Sequence, residues 1–146
     1  MESNNLLFFN NFTLALFDKL YKSFPVPCDI DITQFALDLL PDDIELKSGL
    51  DKLKVARASL NFLSQEGFIV CGGVSNNNVH NAIRLTMKGL TSLGYVPDSL
   101  EPSESLISKI SDISQAGIKE AGIETTKSII QQLFAVALAS SSVLIT

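Results

Sequence analysis

The chain has 146 residues, of which 46% are hydrophobic and 18% are charged, and its mean hydropathy is +0.27. This composition excludes a disordered or collagen-like chain and fits one globular domain with room for an appended element. The chain carries 16 acidic and 11 basic residues, a formal net charge of −5. Bulk charge therefore does not favour nucleic acid or an anionic membrane, so any basic surface must be local.

Cysteine content and the first residues indicate the compartment. Cys28 and Cys71 are too few for a disulfide scaffold, and the first five residues lack the basic segment that opens a secretory signal peptide. We therefore expect a reducing, cytoplasmic setting.

The spacing of apolar residues and the positions of proline and glycine divide the first 95 residues into regular elements. Pro25, Pro27 and Pro41 interrupt the helical patterns, and Gly67 stands where a left-handed helix cap is required. A ten-residue polar loop separates two short apolar runs, which is typical of a β-hairpin. The predicted elements are a helix over 11–23, a strand over 28–32, helices over 33–40 and 48–66, strands over 68–71 and 82–86 around the loop 72–81, and a helix over 87–93.

Two motifs flank the predicted hairpin. Phe62-Leu63 is followed after three residues by Gly67-Phe68-Ile69, and Leu85-Thr86 is followed after two residues by Gly89. With this order of elements, the chain resembles the winged helix-turn-helix superfamily over residues 10–95, including small winged-helix proteins of bacteria. The resemblance implies an α+β, mostly helical fold with a winged-helix domain over 1–96. In such a domain the third helix either enters the DNA major groove or docks a protein.

The composition changes after Pro97. Residues 97–103 are interpreted as a linker and residues 104–146 as one amphipathic C-terminal helix, in which residues 128–146 carry no charge. Such a helix needs a partner surface, which is its own domain, a second copy, another protein or a bilayer. We expect self-association or a helical protein partner first, with membrane insertion less favoured because glutamines and serines interrupt the apolar run. The candidate oligomerisation residues are Leu106, Ile110, Ile113, Gly117, Ala121, Ile130, Leu133 and Phe134.

Enzymatic and metal-binding patterns are missing from the sequence. His80 is the only histidine, has no acidic neighbour in sequence and falls in the polar loop, where we expect it to be exposed. The two cysteines lack the spacing of a metal or redox motif. We therefore predict a protein that is not an enzyme and has no cofactor or metal.

A local basic cluster on the third helix carries the functional prediction. It stands out in an acidic chain and would meet DNA phosphates or base edges, together with polar residues of the hairpin. The predicted function is a DNA-binding regulatory module that dimerises through its C-terminal helix. The alternative is a protein-interaction or assembly adaptor whose tail docks a partner protein or a membrane. The candidate residues for double-stranded DNA are Lys47, Lys52, Lys54, Arg57, Ser59, Asn61, Asn77, His80 and Arg84.

Overall fold

The computed structural model of the chain describes residues 4–74, 79–94, 105–118 and 122–145. The fold is α+β and mostly helical, as predicted, and the order of elements up to residue 94 is the predicted one, with one further short strand in the hairpin. The elements are α1 (Asn4–Ser23), β1 (Cys28–Asp31), α2 (Ile32–Leu37), α3 (Leu46–Gln65), β2 (Ile69–Val70), β3 (Gly73–Val74), β4 (Val79–Leu85), α4 (Met87–Leu93), α5 (Leu106–Ala116) and α6 (Ile123–Ile145).

Several helix boundaries follow from local chemistry that the sequence displays. The carboxylate of Asp31 accepts hydrogen bonds from the first backbone N–H groups of α2, at Thr33 and Gln34. Gly67, which follows α3, has a φ of +85°, the left-handed conformation that glycine adopts without a steric penalty. The main difference is α1, which begins seven residues before the predicted residue 11.

The small antiparallel sheet is built around β4. Strand β1 pairs along one edge of β4, while β2 and β3 pair along the other. The register between β1 and β4 shifts, because Cys28 lies opposite Ile83 whereas Ile30 lies opposite His80. The extra residue in β4 is accommodated at Ala82, which has a positive φ of 53° and donates its N–H to the Asp29 carboxylate at 2.9 Å. This is a β-bulge, and it reverses which side chains of β4 point inward.

The motif that closes the hairpin is a helix cap joined to the end of α3. The Thr86 hydroxyl accepts the Gly89 N–H at 3.1 Å and donates to the Gly67 carbonyl. A side chain at Gly89 would collide with the Phe68 carbonyl oxygen, so only glycine lets α4 approach β2 this closely. The spacing of threonine and glycine in this motif is thus a packing requirement of the hairpin base.

The hydrophobic core is centred on α1. Phe12, Phe17 and Leu20 of this helix are fully buried, and they belong to the same core as Leu63 of α3 and Leu85 of β4. Helix α1 packs against α3 on one side and against α5 and α6 on another. The core therefore includes both parts of the chain that the sequence analysis separated.

The C-terminal region differs from the prediction of one continuous helix over 104–146. It contains two helices, because α5 ends at Gly117, whose φ of +105° is incompatible with a continuing helix. Both helices pack on α1, and α6 also packs on α4. None of the described helices has the length and apolar character needed to cross a membrane.

The residues predicted for self-association are placed within the chain's own core. Leu106, Ile110 and Leu133 are fully buried, and Ile130 is 3% exposed. Ile113 and Phe134 are half-buried and packed against the same core, Gly117 forms the break between the helices, and Ala121 and the predicted linker 97–103 lie outside the described residues. The four buried side chains, Leu106, Ile110, Ile130 and Leu133, are covered within the chain itself and are not available to a second copy.

Candidate nucleic-acid interface

The exposed face of α3 carries most of the predicted basic cluster. Lys47, Lys54 and Asn61 are exposed and spaced by seven residues, so they lie nearly on one line along the helix. Arg57, half-buried, lies beside this line. The opposite face is buried in the core through Leu60 and Leu63, which fixes the rotation of the helix and holds the basic line toward solvent.

The described residues do not neutralise the charge on this face. Helix α3 contains four basic residues and one acidic residue, Asp51, a net charge of +3 in a chain of net charge −5. Lys47, Lys54 and Arg57 form no ion pair with any of the described residues. This line, named here the basic stripe, consists of Lys47, Lys54, Arg57 and Asn61.

Two predicted residues of α3 do not belong to the basic stripe. Lys52 is half-buried and is turned by about 160° from Lys54 around the helix, toward the core side. Ser59 is only 3% exposed, and its hydroxyl donates to the Val55 carbonyl at 2.6 Å. The prediction that Ser59 contacts DNA is therefore wrong, since its side chain is buried and already bonded within the helix.

The prediction that His80 is an exposed loop residue is also wrong. His80 lies in β4, paired with Ile30 on one side and Val74 on the other, and is 6% exposed. The bulge at Ala82 turns it inward on the same side as Ile83. Burial lowers the pKa of His80 below its ordinary value of 6.5, and the positive charge of Arg57 lowers it further.

Acidification should therefore destabilise the chain through His80. The folded state holds this proton more weakly than the unfolded state, so stability falls as pH drops through 6.5 toward the lowered pKa of the folded chain. In His80→Gln this part of the pH dependence should disappear. Urea unfolding of both proteins on either side of pH 6.5 measures the difference. Because His80 is the only histidine, an equal change of the free energy of unfolding with pH in both proteins would contradict the burial of His80.

The hairpin contributes one exposed cation among its described residues. Arg84 is exposed on β4, on the face opposite His80, and one of its guanidinium nitrogens donates to the Leu85 carbonyl at 3.1 Å. Asn77 lies outside the described residues. The hairpin therefore supports the interface through Arg84, whereas His80 belongs to the interior.

An apolar groove beside the basic stripe was not predicted. Leu50 follows the apolar spacing of the predicted helix over 48–66, but it is 52% exposed, and Leu46 is 80% exposed. Together with Leu37 of α2 and Ile44 of the connector they line a groove of about 360 Å³ between α2 and α3. A leucine at helical spacing carries no signal that distinguishes a core position from a groove position, which is why the sequence did not reveal it.

The cysteines and carboxylates form no metal site among the described residues. Cys28 and Cys71 are both free and half-buried, and the Cys28 thiol lies 2.9 Å from the Ser23 hydroxyl. The chemistry of this surface is therefore that of a cationic and polar stripe beside an apolar groove.

No protein-family model, curated protein or solved structure matches the chain.

Proposed function

We propose that the chain is a winged-helix module that binds double-stranded DNA through the basic stripe of α3. The observation that carries this proposal is the alignment of Lys47, Lys54, Arg57 and Asn61 on the solvent side of a helix whose other side is locked in the core. Cations that form no ion pair with the described residues, gathered on one face of an acidic chain, are suited to an anionic surface.

The topology supports the winged-helix part of the proposal. The order α1, β1, α2, α3 and then a hairpin is that of a winged helix, and β1 pairs with the returning strand of the hairpin. The eight residues between α2 and α3 exceed the three or four of a compact helix-turn-helix. The proposal therefore rests on α3 and the hairpin more than on the turn.

The side chains of the stripe divide into two roles. Lysine ammonium groups, here Lys47 and Lys54, meet phosphate oxygens and contribute affinity without reading sequence. Arg57 and Asn61 carry the planar groups that pair with the edges of guanine and adenine in the major groove. Arg84 of the hairpin would follow the phosphate backbone beside the groove.

Charge reversal on α3 tests the proposal. Lys54→Glu combined with Arg57→Glu should weaken binding to a labelled duplex by about tenfold or more, since two cations become anions at the phosphate surface. Lys19→Glu combined with Lys109→Glu changes the net charge equally on α1 and α5 and should have a much smaller effect. Fluorescence anisotropy measures both, and an equal response of the two double variants would remove α3 from the interface.

A further inference from the structure

The groove between α2 and α3 exposes apolar surface that the chain does not cover within the described residues. Leu46 and Leu50 are 80% and 52% exposed, and Leu37 across the groove is 47% exposed. These three leucines line a single concavity together with the buried Leu40 and the half-buried Ile44. Contiguous exposed leucines around a concavity are characteristic of an interaction surface.

Charges of opposite sign stand at the two ends of this apolar surface. Asp42 and Glu45, both exposed, lie at the end that precedes α3. Lys54 and Arg57 lie one to two helical turns beyond Leu50, next to Leu53. Lys47 also lies at the acidic end and Asp51 near the basic end. With both counted, residues 42–47 carry a net charge of −2 and residues 51–57 a net charge of +2, so the net charge still changes from acidic to basic along α3.

We propose that this groove is the contact surface of a homodimer in which the α3 helices of two copies pack antiparallel about a two-fold axis near Leu50. An isologous contact places the same patch of both copies face to face, so the pattern must complement itself when reversed. Here reversal sets the acidic end of one copy against the basic end of the other and joins the leucines in the centre. A DNA duplex is uniformly anionic and does not complement the acidic end or the exposed leucines of this surface.

The dimer and the duplex compete for the same side chains. Lys54 and Arg57 are part of the basic stripe and would be covered in the dimer. Only the consequence that dimer formation blocks DNA binding rests on the proposed function. The dimer is then the form without DNA. Self-association is measured without DNA, so failure of the dimer and failure of DNA binding are separate results.

Sedimentation velocity of the full chain over a wide concentration range tests the dimer. The wild type should sediment as a monomer–dimer equilibrium, and Leu46→Gln combined with Leu50→Gln should raise its dissociation constant by about tenfold or more. Met87→Gln combined with Leu138→Gln alters two leucine-sized side chains that are 68% and 67% exposed elsewhere, and it should leave the equilibrium unchanged. A wild type that stays monomeric overturns the proposal, as does an equal response of the two double variants.

A charge exchange between two chains tests the pairing of the acidic end with the basic end across the contact. Lys54→Glu with Arg57→Glu makes both ends of the surface acidic, and Asp42→Lys with Glu45→Lys makes both ends basic. Each variant alone should be largely monomeric, and an equimolar mixture should form a heterodimer, since each end then meets the opposite charge. A mixture that stays monomeric while the wild type dimerises would overturn the antiparallel arrangement.

Discussion

A chain that ends at residue 103 should lose its cooperative fold. Truncation removes the five buried leucine and isoleucine side chains of α5 and α6, which are Leu106, Ile110, Ile129, Ile130 and Leu133. At roughly 1.5–3 kcal/mol for each buried aliphatic side chain, their loss amounts to roughly 8–15 kcal/mol. This equals the entire stability of a typical domain, about 5–15 kcal/mol, and the truncation also exposes the face of α1 that these helices cover.

Thermal unfolding followed by circular dichroism measures the effect of the truncation. The full chain should show one cooperative transition and the shortened chain none. A shortened chain that unfolds cooperatively as a monomer would mean that residues 1–96 own an independent core, as the sequence analysis expected.

Leu133→Ala should cost about 2–5 kcal/mol of unfolding free energy, because the leucine is fully buried in the core and its removal leaves a cavity. Leu138→Ala lies on the same helix at 67% exposure and should change stability by about 0.5 kcal/mol or less. Urea unfolding measures both values.

The dependence on protein concentration distinguishes a core role from an interface role for Leu133. If Leu133 belongs to the core of its own chain, the loss is the same at every protein concentration. If Leu133 instead contacted a second copy, as first predicted, the loss would grow with protein concentration. The latter result would contradict the packing of α6 on α1.

Local rules predicted the elements up to α4 because each carries its own signal. Pro25 and Pro27 cannot continue a helix, Gly67 supplies the left-handed cap, and Thr86 with Gly89 forms a cap whose spacing is fixed by hydrogen bonds. These features depend on residues close in sequence. The order of helices and strands was therefore available without tertiary information.

His80 shows where local rules fail in the candidate site. Strict alternation from Ile83 and Leu85 places His80 on the outer face of β4, but the bulge at Ala82 adds one residue and inverts the alternation. The bulge is held by Asp29, which is 53 residues away in sequence. No local sequence pattern predicts such a contact.

The sequence analysis missed the packing of the C-terminal region and the groove for a different reason. The apolar face of a helix indicates that another surface covers it, but periodicity alone does not identify that surface. Leu63 is buried, whereas Leu50, about 140° away around α3, is 52% exposed in the groove beside α2. Both outcomes are decided by which surfaces meet in the folded chain.

The salt dependence of duplex binding tests the proposed function most directly. Three cations placed at phosphates, Lys47 and Lys54 of α3 and Arg84 of the hairpin, should give a plot of log binding constant against log salt concentration with a slope of about −3 for B-form DNA. Lys54→Glu with Arg57→Glu should flatten that slope, whereas Lys19→Glu with Lys109→Glu should preserve it. Absence of duplex binding at low salt, or a slope that the α3 variant leaves unchanged, would contradict the assignment of α3 as the DNA-binding element.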